Sequence, residues 1–212
     1  ILSKEAEIGE NAFNNCASNL VICGYSGTRA EEYAEENGIP YICLGDSIEG
    51  AVVTVSDQVY TGEALTPAPV VELNGVVLTE GTNYKVSYSD NTNAGTAKVT
   101  VKGILGYKDT LEKEFAIVRA SIKNAEVSGL EEVVYTGTAF KPKPVVTLNG
   151  TVLKYGTDYK VKWSDNTNIG TAKVTVTGAG NYTGTVISSF TILPDEAHRT
   201  VLEKGRVTAT FP

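Results

Sequence analysis

The chain has 212 residues and a formal net charge of −7, from 18 basic and 25 acidic side chains. With 42% apolar residues it can build packed cores rather than stay disordered. Its acidic balance argues against a nucleic-acid partner, and no apolar run approaches the roughly 18 residues of a membrane-spanning helix.

Residues 1–46 differ in texture from the rest of the chain. They hold all three cysteines, Cys16, Cys23 and Cys43, and carry −6, with Lys4 and Arg29 against eight acids. Leu20-Val21-Ile22-Cys23 and Tyr41-Ile42-Cys43-Leu44 read as short strands. Between them Arg29-Ala30-Glu31-Glu32-Tyr33-Ala34-Glu35-Glu36 reads as a helix. Ser26 or Thr28 supplies its N-cap, acids suit its positive N-terminal end, and Asn37-Gly38 stops it before Pro40.

Ile8-Gly9-Glu10-Asn11-Ala12-Phe13-Asn14-Asn15-Cys16, followed by Leu20, resembles one unit of the BspA-type leucine-rich repeat. Gly24-Tyr25-Ser26-Gly27-Thr28-Arg29-Ala30-Glu31-Glu32-Tyr33-Ala34, with Gly38-Ile39-Pro40, resembles the segment that closes such arrays. The gap from Cys16 to Leu20 is one residue longer than in an interior repeat, which suits a terminal unit covering an exposed apolar end. The resemblance implies a small α/β leucine-rich-repeat cap over 1–46, a cell-surface parent, and a binding array upstream of Ile1. The chain starts mid-pattern without a signal peptide, so it is expected to be a piece of a longer protein. In this repeat pattern Cys16 takes an inward position, as a small core residue. Cys23 and Cys43 lie on strands expected to be neighbours, so a disulfide between them is the alternative. A zinc site would need four close ligands and has no nearby histidine.

From residue 47 onwards the chain repeats itself at a shift of 75. Val59-Tyr60-Thr61-Gly62 returns as Val134-Tyr135-Thr136-Gly137, and Leu73-Asn74-Gly75 as Leu148-Asn149-Gly150. Ser89-Asp90-Asn91-Thr92-Asn93 returns as Ser164-Asp165-Asn166-Thr167-Asn168. Of the 58 positions from 60 to 117, 35 are identical to their twins. Each copy reads as all-β. Tyr84, Val86 and Tyr88 alternate with Lys85 and Ser87, and Tyr159, Val161 and Trp163 repeat the pattern. Ala97, Val99 and Val101 alternate with Lys98, Thr100 and Lys102. The Asn-Gly pairs predict hairpins, because both residues accept positive φ. The Asp90 and Asp165 stretches predict loops.

The combined pattern Tyr-Thr-Gly, Pro-x-Pro-Val-Val, Leu-Asn-Gly, Asn-Thr-Asn-x-Gly-Thr-Ala resembles the tandem immunoglobulin-like repeats of bacterial surface proteins. The expected fold is therefore mostly β: two Ig-like β-sandwich repeats, 47–118 and 119–193, after the cap. Residues 194–212 form a tail, in which Arg206-Val207-Thr208-Ala209-Thr210-Phe211 alternates like a strand. The repeats carry −4 and +3, a sign change that suits end-to-end docking or simply two solvated faces. The junction Val118-Arg119-Ala120-Ser121 is short and lacks Gly and Pro, which predicts limited bending.

The resemblance brings no catalytic residue, and no cofactor or metal is expected. The Asp90 loop departs from a calcium loop, since Thr92 and Ala94 occupy ligand positions. Trp163 is either a sugar platform or core, and its alternation favours core. Tyr60, Tyr107, Tyr135 and Tyr182 lie near turns, as ligand contacts or edge caps. Lys85 and Lys98 fall on the outward phase, which disfavours an isopeptide bond, and His198 is a tail residue with no paired nucleophile. Candidate secondary contacts are the loop residues Asn74, Asp90, Asn91 and Asn93, with Asn149, Asp165, Asn166 and Asn168. The expected role is non-catalytic and extracellular, at the bacterial surface or secreted. The sandwiches act as a stalk, and the upstream array binds host protein or glycan. Its rivals are β-repeats that themselves bind carbohydrate or matrix protein, and accessory modules of a secreted hydrolase.

Overall fold

A computed structural model describes residues 8–9, 12–13, 16, 19–25 and 27–196. The Arg206 stretch and His198 lie outside the described residues. The chain divides into two compact units, 1–118 and 119–212.

The first unit begins with β1 (Ile22–Gly24), α1 (Arg29–Glu36) and β2 (Tyr41–Cys43). α1 buries Ala30, Tyr33 and Ala34, one apolar stripe, against Ile22. Thr28 is the N-cap residue, yet its side chain makes no cap bond. Its hydroxyl donates to the Tyr25 carbonyl instead, at 2.6 Å. Glu31 reaches back to accept from the Gly27 N–H at 2.6 Å. Asn37 and left-handed Gly38 (φ 64°) end the helix as expected.

β1 and β2 pair in parallel, as neighbours, with Cys23 opposite Ile42 and Gly24 opposite Cys43. That one-residue offset points the two cysteine side chains to opposite faces. No disulfide joins Cys16, Cys23 and Cys43. Cys16 is exposed, which corrects its inward assignment. Phe13 packs against the α1 cluster, its ring meeting that of Tyr33 edge-on at 5.6 Å.

The first repeat follows in the same unit: β3 (Asp46–Ser47), β4 (Val52–Thr54), β5 (Gln58–Val59), β6 (Val70–Leu73), β7 (Val76–Val77), β8 (Tyr84–Ser89), β9 (Gly95–Gly103), β10 (Tyr107–Lys108) and β11 (Thr110–Val118). One sheet has the order β4-β6-β7 and another β5-β11-β9-β8, while β3 pairs with β10. The Asp46 N–H donates to the Gly106 carbonyl at 3.0 Å, joining the end of the first 46 residues to this repeat. A side chain at Gly45 would sit 2.7 Å from that carbonyl, so the close approach requires glycine there.

The second repeat runs β12 (Ala120–Ser121), β13 (Glu126–Ser128), β14 (Val133–Val134), β15 (Val145–Leu148), β16 (Thr151–Val152), β17 (Tyr159–Ser164), β18 (Gly170–Gly178), β19 (Tyr182–Thr183) and β20 (Thr185–Leu193). Its sheets are β13-β15-β16, β14-β20-β18-β17 and β12-β19, the topology of the first repeat. Both repeats are therefore β.

Each repeat has one core to which both of its larger sheets contribute. In the first, Val71 of β6 packs with Tyr84, Val99, Val101, Phe115 and Ile117 of the four-stranded sheet. In the second, Val146 packs with Tyr159, Val174, Val176, Phe190 and Ile192. The period-2 alternation puts these residues inside and their lysine and threonine neighbours outside. The Asn-Gly pairs turn as expected, with φ of 53° and 81° at Asn74 and Gly75, and 49° and 82° at Asn149 and Gly150. Each pair spans a two-residue hairpin, Leu73 facing Val76 and Leu148 facing Thr151.

Ile48 and Ile122 are each 0% exposed just after the short strands β3 and β12. Replacing either by alanine is expected to destabilise its repeat by about 2–5 kcal/mol, because the cavity cannot fully collapse. Urea denaturation of the two variants, read by tyrosine and tryptophan fluorescence, measures this.

Candidate functional site

The Asp90–Thr96 loop lines an open depression of about 420 Å³. Asp90 starts it at φ 55°, and Asp165 does the same in the second repeat at φ 56°. Short side chains that bond their own backbone tolerate this conformation. Asp90, Asn93, Asp165 and Asn168 are exposed on these loops, and Asn74 and Asn149 are exposed at the hairpin tips. Asn91 and Asn166 face inward. The Asn91 Nδ2 donates to the Leu65 carbonyl at 2.8 Å, and the Leu65 N–H donates to the Asn91 carbonyl at 2.8 Å. Asn166 and Phe140 repeat the exchange at 2.6 and 2.8 Å. These two carboxamides hold a neighbouring segment and are occupied in doing so.

The aromatic side chains do related work. Tyr84 donates to the Pro69 carbonyl at 3.2 Å and Tyr88 to the Pro67 carbonyl at 2.8 Å. Tyr159 donates to the Pro144 carbonyl at 2.7 Å, and the Trp163 Nε1 to that of Pro142 at 3.0 Å. Trp163 is half-buried against the core, so its ring edge and its only donor are engaged within the repeat. Tyr60, Tyr107, Tyr135 and Tyr182 are partly buried and pack against their cores. Among the described residues no group of three or more His, Cys, Asp or Glu side chains is placed to hold a metal ion.

The outer face of each four-stranded sheet carries the charge. In the first repeat Lys98 pairs with Glu112 at 3.1 Å, and Glu114 stands directly opposite Lys98. The Glu112 hydrogen bond and charge push the Lys98 pKa above its ordinary value. Lys102 on the same face pairs with Glu31 of α1 at 3.5 Å. In the second repeat the equivalent face holds Lys160, Lys162 and Lys173, and Ile187 and Ser189 stand where the two glutamates stood. None of the four ion pairs among the described residues involves these three lysines. No motif in the sequence singles out this face. Its trace there is the charge difference between the repeats, together with substitutions at outward positions of three strands, Ser87 to Lys162, Lys102 to Thr177, and Glu112 and Glu114 to Ile187 and Ser189.

No protein-family model matches the chain, and a search of curated proteins found no match either.

Removing the Asn91 or Asn166 side chain leaves a carbonyl of the proline segment without its donor. Asn91→Ala and Asn166→Ala are each expected to cost about 1–3 kcal/mol, measured as a lowered urea midpoint. A pH dependence follows from the tyrosines. Burial, aided by nearby ionisable groups, raises the Tyr84, Tyr88 and Tyr159 pKa values above 10.0. The unfolded chain therefore releases these protons first as pH rises. The contribution is fully present below about pH 10 and is lost as pH climbs through the folded-state values. Urea midpoints should be level just below pH 10 and fall above it, and less so in Tyr84→Phe.

Proposed function

We propose that this chain is a non-catalytic, extracellular display module, secreted or held at a bacterial surface. Its two β units are immunoglobulin-like spacers, and residues 1–46 close a leucine-rich-repeat array. The array, upstream of Ile1, contacts host protein or glycan, and the spacers carry it away from its anchorage.

The observation that carries this reading is the pairing of each repeat's last strand. β11 pairs in parallel with β5, near the start of its repeat, with Ile117 opposite Gln58 and Val118 opposite Val59. β20 pairs in parallel with β14 in the same way, with Val133 opposite Ile192 and Val134 opposite Leu193. The Tyr60 and Tyr135 N–H groups extend the two ladders, donating to the Val118 and Leu193 carbonyls at 2.9 Å each. Tension along the chain pulls such parallel strands past each other, so their hydrogen bonds must break together. A stalk under load needs that geometry, whereas strands peeled from a hairpin end would lose their bonds singly, in succession. The aromatic tips and the Asn91 and Asn166 carboxamides support the same reading, because they are engaged within the repeats and reinforce them.

Forced unfolding reports the barrier directly. Pulled from its two ends in a single-molecule experiment, the chain is expected to unfold in two separate events, one for each compact unit. Smooth extension without a resolved event would overturn the spacer reading.

A further inference from the structure

We propose that the outer face of the β17–β18–β20 sheet docks a linear, carboxylate-bearing polysaccharide. This goes beyond the display role and does not rest on it. Lys160 and Lys162 lie two residues apart on β17, so they share a face with Cα atoms about 7 Å apart. Lys173 on β18 stands opposite Ser164, one strand over and two residues further along. That places it about 8 Å from Lys162. The three lysines thus run along β17 and step onto β18, on a sheet face that carries no carboxylate at any outward position of these strands.

The duplicated repeat provides the comparison. In the first copy two of the three lysines of this face are matched within the chain, Lys98 by Glu112 and Lys102 by Glu31, while none of the ion pairs among the described residues involves Lys85. Carboxylate is therefore the partner this row of lysines takes. The second copy keeps the twin lysines Lys160 and Lys173 and gains Lys162 where Ser87 stood. It replaces Glu112 and Glu114 with Ile187 and Ser189. Lys98 thus has a carboxylate supplied by the fold, and its twin Lys173 has lost it, which leaves that place open to a carboxylate from outside.

The remaining chemistry selects the polymer. Hydroxyl side chains surround the lysines, with Thr177 opposite Lys160 and Thr175 opposite Lys162, and they can exchange hydrogen bonds with sugar hydroxyls. Ile187, 67% exposed beside Thr175, offers an apolar spot to the C–H face of a sugar ring. The outward positions of these strands carry no aromatic side chain of the kind that anchors a protein partner. Exposed ion pairs are individually weak, so the affinity must come from several contacts along one chain and must fall with salt.

The test uses the whole 212-residue chain and immobilised polygalacturonate as the probe, with dextran and poly-L-glutamate as comparisons. The wild type should bind polygalacturonate saturably at low ionic strength, lose it as salt rises, and ignore dextran. The triple variant K162S/I187E/S189E installs residues that the first repeat already carries at the twin positions, so the fold should tolerate it. Circular dichroism and thermal melting check that it does. It should bind at least about tenfold more weakly, and Lys162→Ser alone about threefold more weakly. Absence of wild-type binding, or undiminished binding by the folded variants, would overturn the proposal. Equal affinity for poly-L-glutamate would overturn it in favour of an acidic protein partner.

Discussion

Each repeat depends on how one segment without strand pairing is held. Between β5 and β6 the chain leaves the four-stranded sheet for the three-stranded one through Pro67-Ala68-Pro69. Proline has no backbone N–H, so this stretch cannot enter a ladder as an ordinary strand, yet its carbonyls still need donors. Those donors are the hydroxyls of Tyr84 and Tyr88, both on β8. Asn91, just past the end of β8, fixes the residue where the segment begins by a two-way exchange with Leu65. Without these bonds the crossing between sheets would be loose, and the core around Val71 and Tyr84 would open on that side.

The second repeat preserves the device while changing its chemistry. Trp163 replaces Tyr88, yet its Nε1 reaches the Pro142 carbonyl as the phenol reaches Pro67. What the device requires is an aromatic body that packs and a donor at its tip. The twin core positions Ala97, Val99 and Val101 recur unchanged as Ala172, Val174 and Val176, all 0% exposed. The outward positions of the last strand, freed from packing, have diverged from glutamates to Ile187 and Ser189. A duplicated fold thus keeps its interior and its clamp, and its outer face is free to take another role.

Much of this is legible in the amino-acid sequence. Alternation places Tyr84, Val99 and Val101 inside, and the Asn-Gly pairs mark two-residue hairpins, because both signals depend on neighbours along the chain. The loop asparagines are harder. Asp90, Asn91 and Asn93 look alike as loop residues, but Asn91 turns inward to a carbonyl 26 positions earlier. Analogy with a repeat pattern puts Cys16 inward, and it is exposed. Cys23 and Cys43 do sit on adjacent strands, as expected, and a one-residue register offset keeps them apart.

The amino-acid sequence by itself determined the duplication, the strand period, the hairpin turns and the helix ends. Each of these follows from residues within a few positions of one another, or from direct comparison of two stretches of chain. The tertiary structure alone decided which strands pair in parallel, that the prolines' carbonyls are satisfied by aromatic tips, and which lysines face a carboxylate. Those outcomes rest on contacts between residues far apart in the chain, such as Lys102 with Glu31. Only the closing of the chain on itself brings such groups within a hydrogen bond's reach, so no local pattern can announce them.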